Sequence, residues 1–172
     1  MHTIHPLRRK DRATSEEEAM RILTDAEYGV LATVDAQGQP YGVPLNFCVM
    51  TGAIYFHCAK TGHKIDNISA NPKASFSVVG KTRVLPADFG TLYESAIAFG
   101  ELFEVHDKEK QQALEGLLLK YSHDFLQEGR QYIDAMAAKT RVFKLSLQTL
   151  SGKSRKQITF QASPLSCKKN LE

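Results

Sequence analysis

Short alternating segments joined by tight turns constrain this chain more than any other feature. Tyr28 to Val34 (YGVLATV) is apolar and β-branched. Asp35-Ala36-Gln37-Gly38 supplies turn residues, and Gln39 to Met50 follows as a second strand. Thr51-Gly52 turns the chain into a third strand, Ala53 to Cys58. Lys73 to Val79 is predicted as the next strand, broken at Gly80, with Lys81 to Gly90 as connection. Leu92 to His106 is a long strand that bends at Gly100, and Thr140 to Leu150 closes the set with Phe143, Leu145 and Leu147 on one side. A parallel doubly wound sheet needs a crossover helix between successive strands, and hairpin turns leave no room for one. An antiparallel barrel of about six strands, decorated by helices, is therefore predicted.

Within the second strand, Val43, Leu45, Phe47 and Val49 alternate with Gly42, Pro44, Asn46 and Cys48, so one face is apolar and the other small or polar. Pro44 has no N–H for a ladder, which assigns it to an edge or a bulge. Besides the short helix described below, helices are predicted at three places. Ser15 and Glu18 form a capping box that opens a helix running to about Leu23. Asp107 caps a second, striped by Ala113, Leu114, Leu117, Leu118 and Tyr121, and Gly129 to Ala138 is the third. Residues 1–14 read as a basic arm, 15–156 as one domain and 157–172 as a weakly structured tail that follows the polar run SGKSRK.

The stretch most suggestive of chemistry is Tyr55 to Pro72, YFHCAKTGHKIDNISANP, where a strand runs through a turn into a short helix. The first N–H groups of a helix lack internal acceptors and carry partial positive charge. His63 and Lys64 add cationic side chains at that end, which works against the dipole unless an anion sits between them. A phosphate is the natural partner. Ile65 and Ile68 fall on a packing stripe, Lys64, Asn67 and Asn71 on a polar one, and Asn71-Pro72 stops the helix. Taken alone, the pattern also fits a solvated lysine beside a structural turn.

With 172 residues, 42% of them hydrophobic, 24% charged and a net charge of +3, the chain has the composition of one globular domain and no strong electrostatic case for nucleic acid. No apolar run approaches the length of a membrane span, and no secretory signal pattern opens the chain, so a cytoplasmic location is expected. Cys48, Cys58 and Cys167 form no Cys-x-x-Cys pair and are expected to be reduced thiols. Neither a P-loop nor a Gly-x-Gly-x-x-Gly fingerprint is present. His57, Cys58 and His63 make a poor metal set, because adjacent strand residues point to opposite faces. A Cys58–His63 nucleophile pair lacks an orienting third group. His106 and His123 read as surface residues, and His2 and His5 lie in the arm.

The runs EYGVLATVDAQGQPYGVPLNF, IYFHCAKTGHKIDNISANPKASFSVVG, YESAIAFGELFEV and VFKLSLQTLSGKSRK together resemble the FMN-binding split β-barrel superfamily over residues 8 to 156. Within it they are similar to the nitroimidazole-resistance (Nim) branch of the pyridoxamine 5′-phosphate oxidase-related proteins. The resemblance implies a mainly β, six-stranded Greek-key split barrel. It also implies a homodimer with FMN at the subunit interface. By position it assigns Val43, Pro44, Leu45, Asn46 and Phe47 to the flavin, His57 and Cys58 to the ring or ribityl chain, and His63 and Lys64 to the phosphate. Ser95, Lys153 and Arg155 match positions near the cofactor, often from across the dimer. Oxidases of vitamin B6 carry a tryptophan and an arginine-histidine-arginine signature near the C-terminus; this chain has no tryptophan and ends with SGKSRK, which speaks against that substrate. The resemblance instead implies an FMN-dependent reductase of a small planar molecule, with His57 as its catalytic residue or as a strand histidine filling the barrel mouth. A barrel that binds flavin, haem or deazaflavin without turnover is the alternative, and a dimeric interaction domain with a vestigial site is a third reading.

Overall fold

The computed structural model describes residues 6–156. The predicted tail at 157–172, with Cys167, and the arm residues His2 and His5 lie outside them. Seven strands form one antiparallel sheet: β1 (Gly29–Val34), β2 (Pro40–Leu45), β3 (Cys48–Met50), β4 (Ala53–Cys58), β5 (Lys73–Leu85), β6 (Gly90–Val105) and β7 (Arg141–Arg155). Their order is β2-β1-β5-β6-β7-β4-β3. β2 and β3 are consecutive in the chain yet occupy opposite edges of the sheet. Only Asn46 and Phe47 join them, and two residues span about 10 Å at most between the flanking Cα atoms. The sheet must therefore curl until its edges meet. No ladder joins β2 to β3, so the barrel is split along this seam.

Four sequence expectations change here. The single strand predicted over Gln39 to Met50 divides at Asn46-Phe47, which gives seven strands rather than six. Pro44 lies on edge strand β2, where its missing N–H costs no ladder bond. The segment predicted as a connection, Lys81 to Gly90, is largely hairpin, because after a register shift between Val79 and Thr82 the strands pair again from Thr82↔Tyr93 to Leu85↔Gly90. The basic run SGKSRK is likewise strand as far as Arg155, its ladder supplied by β6 through Tyr93↔Arg155. The arm also ends sooner than predicted: residues Lys10–Arg12 form one helical turn, Ala13 bridges to Lys153, and the Thr14 N–H donates to the Gly152 carbonyl at 3.1 Å.

Four helices complete the fold: α1 (Glu16–Asp25), α2 (His63–Ala70), α3 (Asp107–Tyr121) and α4 (Leu126–Met136). The Ser15 side chain accepts the Glu18 N–H at 3.1 Å, as the capping-box spacing predicts. Asp107 does not cap α3; it is the first helical residue, and His106 occupies the cap position without a side-chain bond. Apolar side chains divide into two cores because the sheet is buried on both faces over part of its width. Leu31, Phe47, Phe56, Phe76 and Leu145 fill the barrel, closed by Ile22 and Leu23 from α1 and Ile65 and Ile68 from α2. Tyr55, Val142 and Ile133 pack with Ala113, Leu114 and Leu117 under α3 and α4. Among the described residues no helix is long and apolar enough to cross a membrane.

Candidate functional site

β4 is buried from Ala53 to Phe56; of its last two residues His57 is exposed and Cys58 is half-buried against the barrel core. The chain then turns through Gly62, whose φ of 129° is a conformation that side-chain-bearing residues rarely adopt, and enters α2 at His63. The first turn has no side-chain cap. Ile65 and Asp66 direct their N–H groups to the Gly62 carbonyl at 2.7 and 3.2 Å, which leaves the His63 and Lys64 amides as the orphan donors of the helix end. The Lys64 ammonium sits 5.8 Å from the Phe56 ring centroid, and no carboxylate among the described residues forms an ion pair with it. An uncapped helix end, two free amides and an unpaired cation thus converge at one mouth of the barrel.

Packing fixes this end in place. Ile65, Asn67 and Ile68 are buried. The Asn67 side chain, predicted to lie on the polar face, instead points into the protein and donates from Nδ2 to Thr33 Oγ1 at 3.0 Å, tying α2 to β1. A buried amide needs such a partner, and Thr33 provides it. From edge strand β2, Tyr41 lies against the His63 ring with centroids 4.2 Å apart.

His57 and Cys58 take different environments, as adjacent strand residues must. Enclosure by the surrounding protein, and secondarily the Lys64 charge, holds the His57 pKa below its ordinary 6.5. Burial pushes the Cys58 thiol up, while Lys64 and Arg141 pull it partly back. Arg141, directly opposite Cys58 on β7, forms a fork with Glu104 through Nε at 2.9 Å and an η nitrogen at 2.6 Å.

The His57 shift makes a prediction. The unfolded chain protonates this histidine near pH 6.5 and the folded chain only at lower pH, so between those values the unfolded state holds more protons. Stability therefore falls as pH drops through 6.5 and stops changing, for this group, below the folded pKa. His57→Gln should flatten the fall in melting temperature between pH 7.5 and 5; an unchanged slope would contradict the assignment.

The predicted flavin-facing segment is unevenly available. Val43 and Leu45 are half-buried against the core, Pro44 and Asn46 are exposed, and Phe47 is fully buried. The Phe47 side chain is therefore core, packed edge-on against Phe76 at 4.8 Å between centroids. Ser95, Lys153 and Arg155 do not join the His63–Lys64 group within one chain. Ser95 pairs with Lys153 and Tyr93 with Arg155. Lys153 is twelve positions along β7 from Arg141, roughly 40 Å at ~3.3 Å per residue. Tyr41, Arg141 and Glu104 were not singled out by sequence reasoning; the pairing of β4 with β7 that brings Arg141 here leaves no local signal.

Fold and mouth together define a split β-barrel with an anion-receptive helix end. The family model for pyridoxamine 5′-phosphate oxidase matches residues 15–154, and the chain belongs to that family. Several solved structures share its fold. A Bacteroides thetaiotaomicron protein described as a 5-nitroimidazole antibiotic resistance protein is 23% identical, with 82% of this chain and 85% of that one covered and a TM-score of 0.71. An FAD-binding protein from Mesorhizobium loti is 24% identical over 85% and 97% of the two chains, with a TM-score of 0.62. An FAD- and haem-binding protein from Mycobacterium smegmatis is 20% identical over 86% and 75%, with a TM-score of 0.74. No curated protein matches the chain.

Proposed function

We propose that this chain is an FMN-binding flavoprotein, assembled as a homodimer, that reduces a small planar substrate. The observation that carries the reading is the uncapped start of α2, where the His63 and Lys64 amides and the unpaired Lys64 ammonium suit a terminal phosphate monoester. Bound FMN supplies the electron-transfer chemistry. The protein's own work is to hold and orient. Lys64 and the two amides take the phosphate, and Tyr41 buttresses His63 from β2. Pro44 and Asn46 face the ring from the seam. His57, neutral at pH 7, has one N–H to donate and one nitrogen to accept with, enough to orient a planar substrate.

An apolar outer face supports the second copy. Val30, Val79, Ile97 and Phe99 lie on the solvent side of β1, β5 and β6, with Val79 66% and Phe99 52% exposed. Contiguous apolar patches of this kind mark protein contacts. Ser95 and Lys153 share that face, so a partner packed on it would bring them to the other subunit's cofactor. Phe99→Asp should yield a monomer in light scattering with weakened FMN retention; a wild-type monomer that holds FMN normally would contradict the dimer.

Turnover tests the reductase reading. Holoprotein supplied with a reductant and a nitroaromatic acceptor should consume the nitro absorbance over many cycles. Tight binding without turnover would favour a carrier of flavin or haem instead.

A further inference from the structure

At the seam between β2 and β3 no ladder joins the barrel wall, and a single side chain fills in for it. The Phe47 N–H donates to the Tyr121 hydroxyl oxygen at 3.0 Å, and that hydroxyl lies 2.9 Å from the Phe47 carbonyl and 2.7 Å from the Glu27 carbonyl. Both polar groups of one backbone residue thus meet one phenol, as they would otherwise meet a strand. A hydroxyl has one proton and two acceptor positions, so it accepts from Phe47 and donates to either carbonyl. The preceding residue completes the arrangement. Lys120 donates to the Ala26 carbonyl at 2.8 Å and lies 3.9 Å from the Phe47 ring centroid. The last turn of α3 therefore binds the end of α1 and the seam together.

We infer that Tyr121 and Lys120 are positioning residues, which clamp Phe47 and thereby fix the adjacent exposed backbone at Asn46 that the cofactor ring meets. The cofactor half of this inference rests on the reading under Proposed function; the clamp itself does not. Their effect on the cofactor passes through Phe47 and its neighbour Asn46, whose side chain also meets the Tyr121 hydroxyl. Burial also holds the Lys120 pKa below its ordinary value, a cost that the Ala26 and Phe47 contacts offset.

Tyr121→Phe keeps the ring and removes the hydroxyl. In apoprotein, amide hydrogen exchange over residues 45–48 should accelerate about tenfold or more while the central turns of α3 stay protected. FMN affinity should fall about tenfold, with a shift in the flavin absorption bands that a remote loss of stability would not produce. Lys120→Met should act in the same direction, and Lys120→Arg should restore the wild-type exchange. Unchanged exchange at 45–48 in both Tyr121→Phe and Lys120→Met would overturn the clamp. Faster exchange with unaltered FMN affinity and spectrum would overturn the positioning role. A wild-type protein that takes up no FMN would overturn the functional reading and the cofactor half with it, while the exchange result would still decide the clamp.

Discussion

Lys64→Ala should weaken FMN binding about 10- to 100-fold while leaving the apoprotein as stable as before or slightly more so. The two effects separate because they have different origins. A hydrogen bond to a charged group contributes about 1.5–3 kcal/mol, and each 1.4 kcal/mol is tenfold in affinity. The fold gains little from the same ammonium: among the described residues Lys64 makes no ion pair, and a cation in the first turn of α2 opposes the helix dipole. Alanine is also the better helix former. Fluorescence titration of apoprotein with FMN, beside thermal unfolding without it, measures both. Loss of affinity together with loss of fold would make Lys64 structural, and unchanged affinity would remove it from the phosphate site.

The largest effect on stability is expected from Gly100→Ala. Strands β6 and β7 share the most extended ladder of the barrel, and its register shifts between Phe99 and Gly100. A Cβ at Gly100 would lie 1.9 Å from the Ser146 carbonyl oxygen and 2.9 Å from its carbon. Those are backbone atoms of a residue paired on both sides, with Ala53 and Glu101, so no side chain can swing aside. The strands must separate there, which costs about 3 kcal/mol or more, a fall of roughly 6–12 °C in melting temperature for a domain of this size. A methyl group tolerated at that position would mean that β7 approaches less closely than the ladder requires.

What the sequence revealed depended on the range of the interaction concerned. The Ser15–Glu18 cap and the entry and stop of α2 were legible because their causes lie within a few residues. Asn67 was placed on the wrong side because a helical wheel assigns polarity by residue type, whereas Thr33, 34 residues away, provides the partner that lets a buried amide stay. The strand character of SGKSRK was hidden for a similar reason: its composition is that of a loop, and the ladder comes from β6. The alternation over Gln39 to Met50 runs unbroken through Asn46 and Phe47, although the chain there passes from one sheet edge to the other. Nothing local marks that passage. Its stabilising contact, Tyr121, appeared in the sequence only as one apolar member of a helical stripe.

The central claim is that the mouth formed by β4, α2 and the seam holds FMN. Its most direct test is the absorption spectrum of the protein purified without added cofactor, followed by identification of the molecule that acid releases. A flavin spectrum with FMN released, or stoichiometric uptake of added FMN by colourless protein, is the predicted result. A colourless protein that takes up no added FMN, or one that carries haem with no flavin, would contradict it.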